Sequence, residues 1–384
     1  MRRILLVTDS FLRPERTGLD VYCDKLVYWL PRLAPDTEFV LVSLGEPDQQ
    51  PSQFALNIRH QGLPISRRQF YWASLLGRQT PLQTFAQQYD LIHLLTPLPV
   101  TIARPLVVTV HDLSPLVIPQ AYYWHHRALT RWTLHKLSNS QCQFSVVSQW
   151  TGNDLHTLMN IPERRIHCIY EGVSEDFYSP DDHQHIEQVV ARYRLPERYF
   201  LFIGSTHKRK NLPVLLQAYR QFRNQDTTDT QLVIAGRMNY PGGTKIRQQL
   251  QQLGLEDHVF LPGYIAQSDL PAVLRRATAL LYPSLYEGFG LPILEAMACG
   301  VPVIASCTGA VPEISGGNAL LCDPSNVDCF MEAMLHICND NALKADLVAK
   351  GSAWAARFSW ETTAKTTLRL YDKMLSNFKT LVIR

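Results

Sequence analysis

The sequence of 384 residues has no apolar run of about 18 residues, the length a membrane-spanning helix needs, so no such helix is expected. It has no excess of one charge. Lys and Arg total 37 against 34 Asp and Glu, a formal net charge of +3, too balanced for holding nucleic acid by bulk electrostatics. None of the eight cysteines forms a C-x-x-C pair, and no histidines cluster at zinc spacing. Free, mostly buried thiols in a reducing compartment are therefore expected. Low-complexity segments and short internal repeats are also missing. The first apolar run is not followed by G-x-G-x-x-G, which argues against a dinucleotide-dependent oxidoreductase. Met1-Arg2-Arg3 precedes that run, but Ile4–Val7 is too short for a secretory signal core of about 7–15 residues, and Thr8-Asp9 end it. It reads instead as the buried first strand of a cytoplasmic protein.

What is present is 46% apolar residues, enough for two cores, over a length that suggests about two domains. Short, almost wholly apolar runs alternate with longer amphipathic stretches. Strands are expected at Ile4–Val7, Phe39–Val42, Leu91–Leu94, Leu106–Val110, Phe144–Val147 and Arg165–Ile169, with helices between them such as Leu19–Leu30, Tyr122–Leu137 and Gln149–Leu158. Runs apolar on both faces fit a parallel sheet covered on both sides. The pattern breaks after Gly172, where acidic residues, Pro180 and Pro196 mark a linker over residues 179–198. Alternation resumes with Tyr199–Ile203, Gln231–Ala235, His258–Leu261, Ala279–Tyr282 and Val301–Ala305, and with helices at Asn211–Phe222 and Leu291–Ala298. Two doubly wound α/β domains follow, residues 1–178 and 199–358, with their ligand expected in the cleft between them. The stretch 359–384 has helical spacing and no strand to serve. It is expected to cross back over the first domain.

The densest chemistry lies in Glu287-Gly-Phe-Gly-Leu-Pro-Ile-Leu-Glu295. A strand ends near Tyr282, a loop with Gly288 and Gly290 follows, Pro292 suits a first helical turn, and Gly300 closes the helix. Loop N–H groups and a helix N-terminus then converge on one place suited to a diphosphate. Glu287 and Glu295 bracket it. Spacing alone leaves two readings open: solvated charges beside an ordinary helix, or carboxylates for ligand hydroxyls. Lys208-Arg209-Lys210, beyond another strand, is either a solvated helix start or a pair of cations for the diphosphate. His111, after the run ending at Val110, is either a cap or core residue or faces the cleft. No D-x-D pair follows a strand, so a Mg²⁺-bridged diphosphate is not expected.

The Glu287–Glu295 segment resembles the E-x7-E signature of family 4 retaining glycosyltransferases, which adopt the GT-B fold. The resemblance runs through nearly the whole chain in order: Gly18, Val110-His111-Asp112, Glu171-Gly172-Val173, Gly204 to Asn211, Pro262 to Ile265, Val301 to Ser306, Pro312-Glu313, Asp323-Pro324 and Phe358 to Trp360. It implies a nucleotide-sugar co-substrate, UDP-glucose or GDP-mannose in type, with no metal and no other cofactor. Arg209 and Lys210 match the phosphate-binding pair. Ile265 matches the nucleobase loop, Glu295 the ribose contact, Phe289, Gly290 and Leu291 the phosphate loop, and Gly18 a close backbone approach to the donor. Glu287 is implied as nucleophile or as the holder of the sugar's 3-hydroxyl, the second being preferred. His111 is implied near the sugar or the acceptor. Two positions depart from the pattern. Ser205 stands where some relatives have arginine, leaving phosphate neutralisation to Arg209 and Lys210, and Thr17-Gly18 stands where many have two glycines.

The implied acceptor is a saccharide or polyprenyl-linked glycan gripped by the first domain, in surface polysaccharide synthesis. Basic and aromatic residues at Arg67–Trp72 and Tyr122–Lys136 fit either an ordinary surface helix or a membrane surface, here the inner face of the membrane. The rival activities are a GT-B sugar-nucleotide epimerase, which would need a different carboxylate pattern, and a non-catalytic GT-B scaffold. The scaffold should have lost Glu287, Lys210 or Glu295, and all three are present.

Overall fold

The structure, a computed structural model, describes residues 1–8, 16–45, 58–179, 183–237 and 243–382. Asp9, at the end of the first apolar run, and Pro180, in the expected linker, lie outside the described residues. The chain divides into two compact units. Met1–Gly172 with Ser359–Arg384 form the first, and Val173–Phe358 form the second.

The first unit is built on a seven-stranded sheet: β1 (Arg2–Thr8), β2 (Thr37–Leu44), β3 (Ile58–Leu63), β4 (Leu91–Leu94), β5 (Leu106–Val110), β6 (Gln143–Val146) and β7 (Ile166–Cys168). Its order is β3-β2-β1-β4-β5-β6-β7, every pair parallel. The apolar runs have the expected cause. Ile4 to Val7 and Leu91, Ile92 and Leu94 have no exposed surface, because helices cover both faces of the sheet. β3 escapes a sequence reading because Ile58–Leu63 is polar and lies at the sheet edge. Its one deeply placed polar group, His60, is held by a hydrogen bond between Nε2 and Ser43 Oγ at 3.0 Å.

The second unit carries β8 (Tyr199–Ile203), β9 (Gln231–Ala235), β10 (Val259–Gly263), β11 (Ala279–Tyr282), β12 (Val303–Ser306) and β13 (Leu320–Cys322). The order β10-β9-β8-β11-β12-β13, again all parallel, repeats the arrangement 3-2-1-4-5-6 of a Rossmann-like sheet. In each unit the strand order reverses beside its first strand, between β1 and β4 and between β8 and β11.

Two expectations are corrected. Residues 179–198 are not a linker throughout, since His183–Tyr193 is a helix packed on helix Leu270–Arg276. Val189 is fully buried there, and Asp269 accepts hydrogen bonds from Arg192 at 2.7 Å and Tyr193 at 2.8 Å. Ile186, Val189, Val190 and Tyr193 have helical spacing that the surrounding polar residues mask. The strand expected at Val301–Ala305 begins only at Val303, because Pro302 has no N–H to give the ladder. Its carbonyl accepts from Leu280 N at 2.9 Å.

The last helix, Trp360–Val382, belongs to the first unit and packs on helix Gly18–Leu33. The backbone at Gly172 runs so close to Ser359 and Trp360 that a Cβ there would sit 2.1 Å from Trp360 N, so only glycine fits.

Candidate active site

In open parallel sheets, ligands bind beyond the carboxyl ends of the strands where the order reverses. In the second unit that place lies between the loops that follow β8 and β11. After β8 the chain makes a single 3₁₀ turn, Lys208–Lys210, in which Arg209 N donates to His207 Nδ1 at 3.2 Å and Lys210 N to His207 O at 2.8 Å. Asn211 then adopts a left-handed conformation, φ 54°, that an asparagine tolerates. Its Nδ2 donates to Pro283 O at 3.2 Å and Pro324 O at 2.7 Å. Leu285 N donates to Arg209 O at 2.8 Å. The basic turn is thus stitched to the loop after β11 by backbone and side-chain bonds.

Glu287, in that loop, is 6% exposed, and both of its carboxylate oxygens face cations. Lys210 Nζ donates to Oε1 at 2.7 Å, and Arg209 Nη1 makes a short contact with Oε2. Arg209 Nη1 also donates to Tyr286 O at 2.9 Å, and Lys210 Nζ to Tyr282 Oη at 2.9 Å. Burial pushes the Glu287 carboxyl up, but Arg209 and then Lys210 outweigh it and hold the group down at about 2. Tyr282, buried and beside Glu287, is pushed well above the usual phenol range and stays neutral. The site therefore holds one ionised acid between two cations. Gly309 permits the closure: at φ +61° its backbone lies over Glu287, where a Cβ would come within 2.7 Å of Glu287 O, and Ala310 N donates to that same oxygen at 2.9 Å.

Phe289, Gly290 and Leu291 continue the loop. Gly290, φ +105°, caps helix Leu291–Ala298, which has a proline in its first turn. Glu295 is buried in the second turn, 6% exposed. Ile265, also buried, follows the carboxyl end of the edge strand β10 at the same end of the sheet. The structure thus joins Arg209, Lys210 and Glu287 by direct bonds, and places Phe289, Gly290, Leu291, Glu295 and Ile265 at the same sheet end.

Gly18 and His111 belong to the first unit. Gly18 opens helix Gly18–Leu33, whose start is fixed by Asp20 accepting from Thr17 N and Oγ1, both at 2.7 Å. Tyr22 of that helix meets the His111 ring edge-on at 4.6 Å. His111 follows β5 with Nε2 2.9 Å from Leu95 O and Nδ1 3.2 Å from Glu171 Oε1. Behind it, fully buried His93 bonds Thr109 Oγ1 at 2.7 Å and Tyr371 Oη at 2.5 Å, and Thr109 also bonds Tyr22 Oη at 3.0 Å. Burial, and then His111, depress His93 to about 3, so this network is built on a neutral imidazole. Asp112, next to His111, is spent locally, accepting from Ser114 N and Oγ.

In the sequence Glu171 stands out only as part of Glu171-Gly172-Val173, without a role, and neither the bond of Tyr282 to Lys210 nor the His93 network is visible there. The position of Glu171 just past the run ending at Ile169 was the available signal. The partners of Tyr282 and His93 depend on strand neighbours that sequence spacing does not reveal. Among the described residues, no group of three or more His, Cys, Asp or Glu could hold a metal ion, and no helix is long and apolar enough to cross a membrane.

Comparison with known proteins follows the same division. The family described as Glycosyltransferase Family 4 matches residues 17–177, and that described as Glycosyl transferases group 1 matches residues 187–354. The chain is 33% identical over 270 residues to O-antigen chain mannosyltransferase B of Escherichia coli, covering 69% of each chain. It is 27% identical over 277 residues to the E. coli serotype-specific mannosyltransferase WbdA, where the match covers 71% of this chain but 34% of that longer protein. Among solved structures it is similar to sucrose-phosphate synthase from Thermosynechococcus elongatus, with a TM-score of 0.78 at 22% identity, over 98% of this chain and all of that one. That likeness is one of fold.

Proposed function

The chain belongs to the group 1, family 4 glycosyltransferases of GT-B fold, and from that premise we propose that it transfers mannose from a GDP-mannose-type donor, with retention at the anomeric carbon and no metal. The acceptor is a saccharide or polyprenyl-linked glycan of a surface polysaccharide. The mannosyltransferase relatives favour mannose over the UDP-glucose type of donor. The observation that carries the reading is Glu287 held between Arg209 and Lys210 at the strand-order reversal of the second unit.

Cleaving the anomeric bond leaves an oxocarbenium-like sugar and a nucleoside diphosphate. Arg209, Lys210 and the N–H groups of Phe289, Gly290 and Leu291 stabilise the departing charge. Glu295 holds the ribose and Ile265 meets the base through its backbone. Glu287 is ionised at every physiological pH, and both its oxygens are engaged by cations. Such a carboxylate is a poor nucleophile. It suits the other role, holding a sugar hydroxyl and facing the positive charge at the anomeric carbon. The donor's β-phosphate takes the acceptor proton. Gly18 is assigned to a close backbone approach to the donor, and His111 to the sugar or the acceptor.

The enzyme works on the inner face of the membrane as a peripheral protein. Trp72, Leu75 and Leu76 on helix Arg67–Leu75 and its end, and Tyr123 and Trp124 at the start of helix Trp124–Ser138, are all more than half exposed. Lys136 donates to Ser74 O at 3.0 Å and so ties the last turn of the second helix to the end of the first. With Arg68, Arg127 and Arg131 near them, they offer aromatics and cations to anionic lipid. Co-sedimentation with anionic vesicles is expected at low salt, and its absence would sink this part. For the reaction, calorimetric titration with GDP and UDP separates the donors. Binding of UDP with none of GDP refutes the mannosyl donor, and an inverted product anomer, seen by NMR, refutes retention.

A further inference from the structure

We propose that Glu287 is also the built-in counter-ion of the diphosphate subsite, and that its charge weakens the hold on the spent nucleoside diphosphate so that product leaves. The inference rests on the donor reading above, but it assigns Glu287 a second task.

Consider the charges. Arg209 and Lys210 supply two positive charges and Glu287 one negative, so the subsite carries about +1 in the free protein. A sugar-linked diphosphate carries two negative charges. Once the sugar leaves, the terminal phosphate is substituted only through the anhydride and gains a second ionisation near neutrality, so the product gains almost one more charge. A subsite of two unopposed cations would grip the product more firmly than the donor it replaced. The cations would then be strongest at the step where release must occur.

The geometry keeps the acid in that balance. Both carboxylate oxygens face the cations, so the product's phosphate and Glu287 must share Arg209 and Lys210. The loop cannot withdraw cheaply, because the backbone of Gly309 and Ala310 lies against Glu287. Glu287 is 6% and Lys210 8% exposed, so solvent screens their charges little. Tyr282, also beside Lys210, is neutral.

The test is the affinity of Glu287→Gln for GDP and UDP, read by calorimetry beside GMP and UMP. The change keeps the shape and removes the charge. The expected result has an unusual sign: the nucleoside diphosphate that wild type binds is held at least about tenfold more tightly by the variant. The monophosphates, which do not reach the subsite, change less than about twofold. The variant's melting temperature should also rise more on adding diphosphate than wild type's does. Unchanged or weaker diphosphate binding by a folded variant overturns the inference while leaving the donor reading intact. If wild type binds neither diphosphate, the donor reading falls and takes this inference with it. Should Glu287→Gln alone fail to fold, with two buried cations left facing each other, the comparison is made in a Lys210→Met background. There the acid's removal leaves one cation, and the same tightening is expected; its absence is equally fatal.

Discussion

Replacing Lys210 by methionine keeps an unbranched apolar stem as far as the fourth side-chain atom and deletes the ammonium. Two losses follow from the geometry. In the free protein Glu287 loses the 2.7 Å ion pair on Oε1 and keeps Arg209 on Oε2, so the buried carboxylate stays half-compensated. Tyr282 Oη also loses a donor at 2.9 Å. With one partner remaining, the stability cost should fall below the 3–5 kcal/mol of a fully broken buried pair, at about 1–3 kcal/mol. In a unit of this size that lowers the melting temperature by roughly 2–10 °C. The loss in catalysis should be larger. One of two cations at the departing diphosphate is worth about as much as one oxyanion donor, a fall in kcat of roughly 10²–10³. Initial rates of sugar transfer at saturating donor, with a thermal melt of the same preparation, measure both. A folded Lys210→Met protein with kcat within threefold of wild type would refute the assignment of this cation.

Acid should weaken the second unit through Glu287. Its carboxyl is held at about 2, below the ordinary 4.5, so its stabilisation is fully present above pH 4.5 and is lost as pH falls through that window towards 2. The difference is worth about 3 kcal/mol; acid titrations of Glu287→Gln should lack this slope, and an identical slope would contradict the ion-pair account. Glu295→Ala should remove most turnover and weaken nucleotide binding without lowering the melting temperature by more than a few degrees; normal initial rates with the correct donor and acceptor would refute its ribose role. Glu171→Gln removes the carboxylate beside His111 Nδ1 and keeps the shape. It should lower kcat by about tenfold or more while nucleotide affinity stays level, and an unchanged kcat would show that His111 does not depend on it.

The central strands were legible because they obey one rule. A run such as Ile4–Val7, apolar on both faces, has few homes other than the middle of a parallel sheet. The edges obey a weaker rule. β3 mixes polar residues into its length, and β13 has only three residues, so neither stands out from a loop. The helix 183–193 was hidden because only Val189 is fully buried and its few other apolar residues are interleaved with polar ones. At the site, the loop glycines, Pro292 and the two bracketing acids announced an anion-binding helix start. What they could not announce was pairing across strands. That Glu287 spends its charge on Arg209 and Lys210 follows from β8 lying beside β11, a neighbourhood fixed by the whole sheet. Glu171 reaches His111 across 60 positions for the same kind of reason.

The bond between His93 and Tyr371 joins positions 278 residues apart inside one unit. Synthesis runs from the amino end, so every strand of the first sheet leaves the ribosome long before Tyr371 exists. Until then His93 sits in the interior with an unmatched ring nitrogen, and the face later covered by the final helix lies open. The second unit, contiguous in sequence, can finish folding while the first still waits. The earlier-made unit is therefore the later to mature. A premature stop just before Tyr371 would leave the adjacent unit whole and injure the one that begins at residue 1.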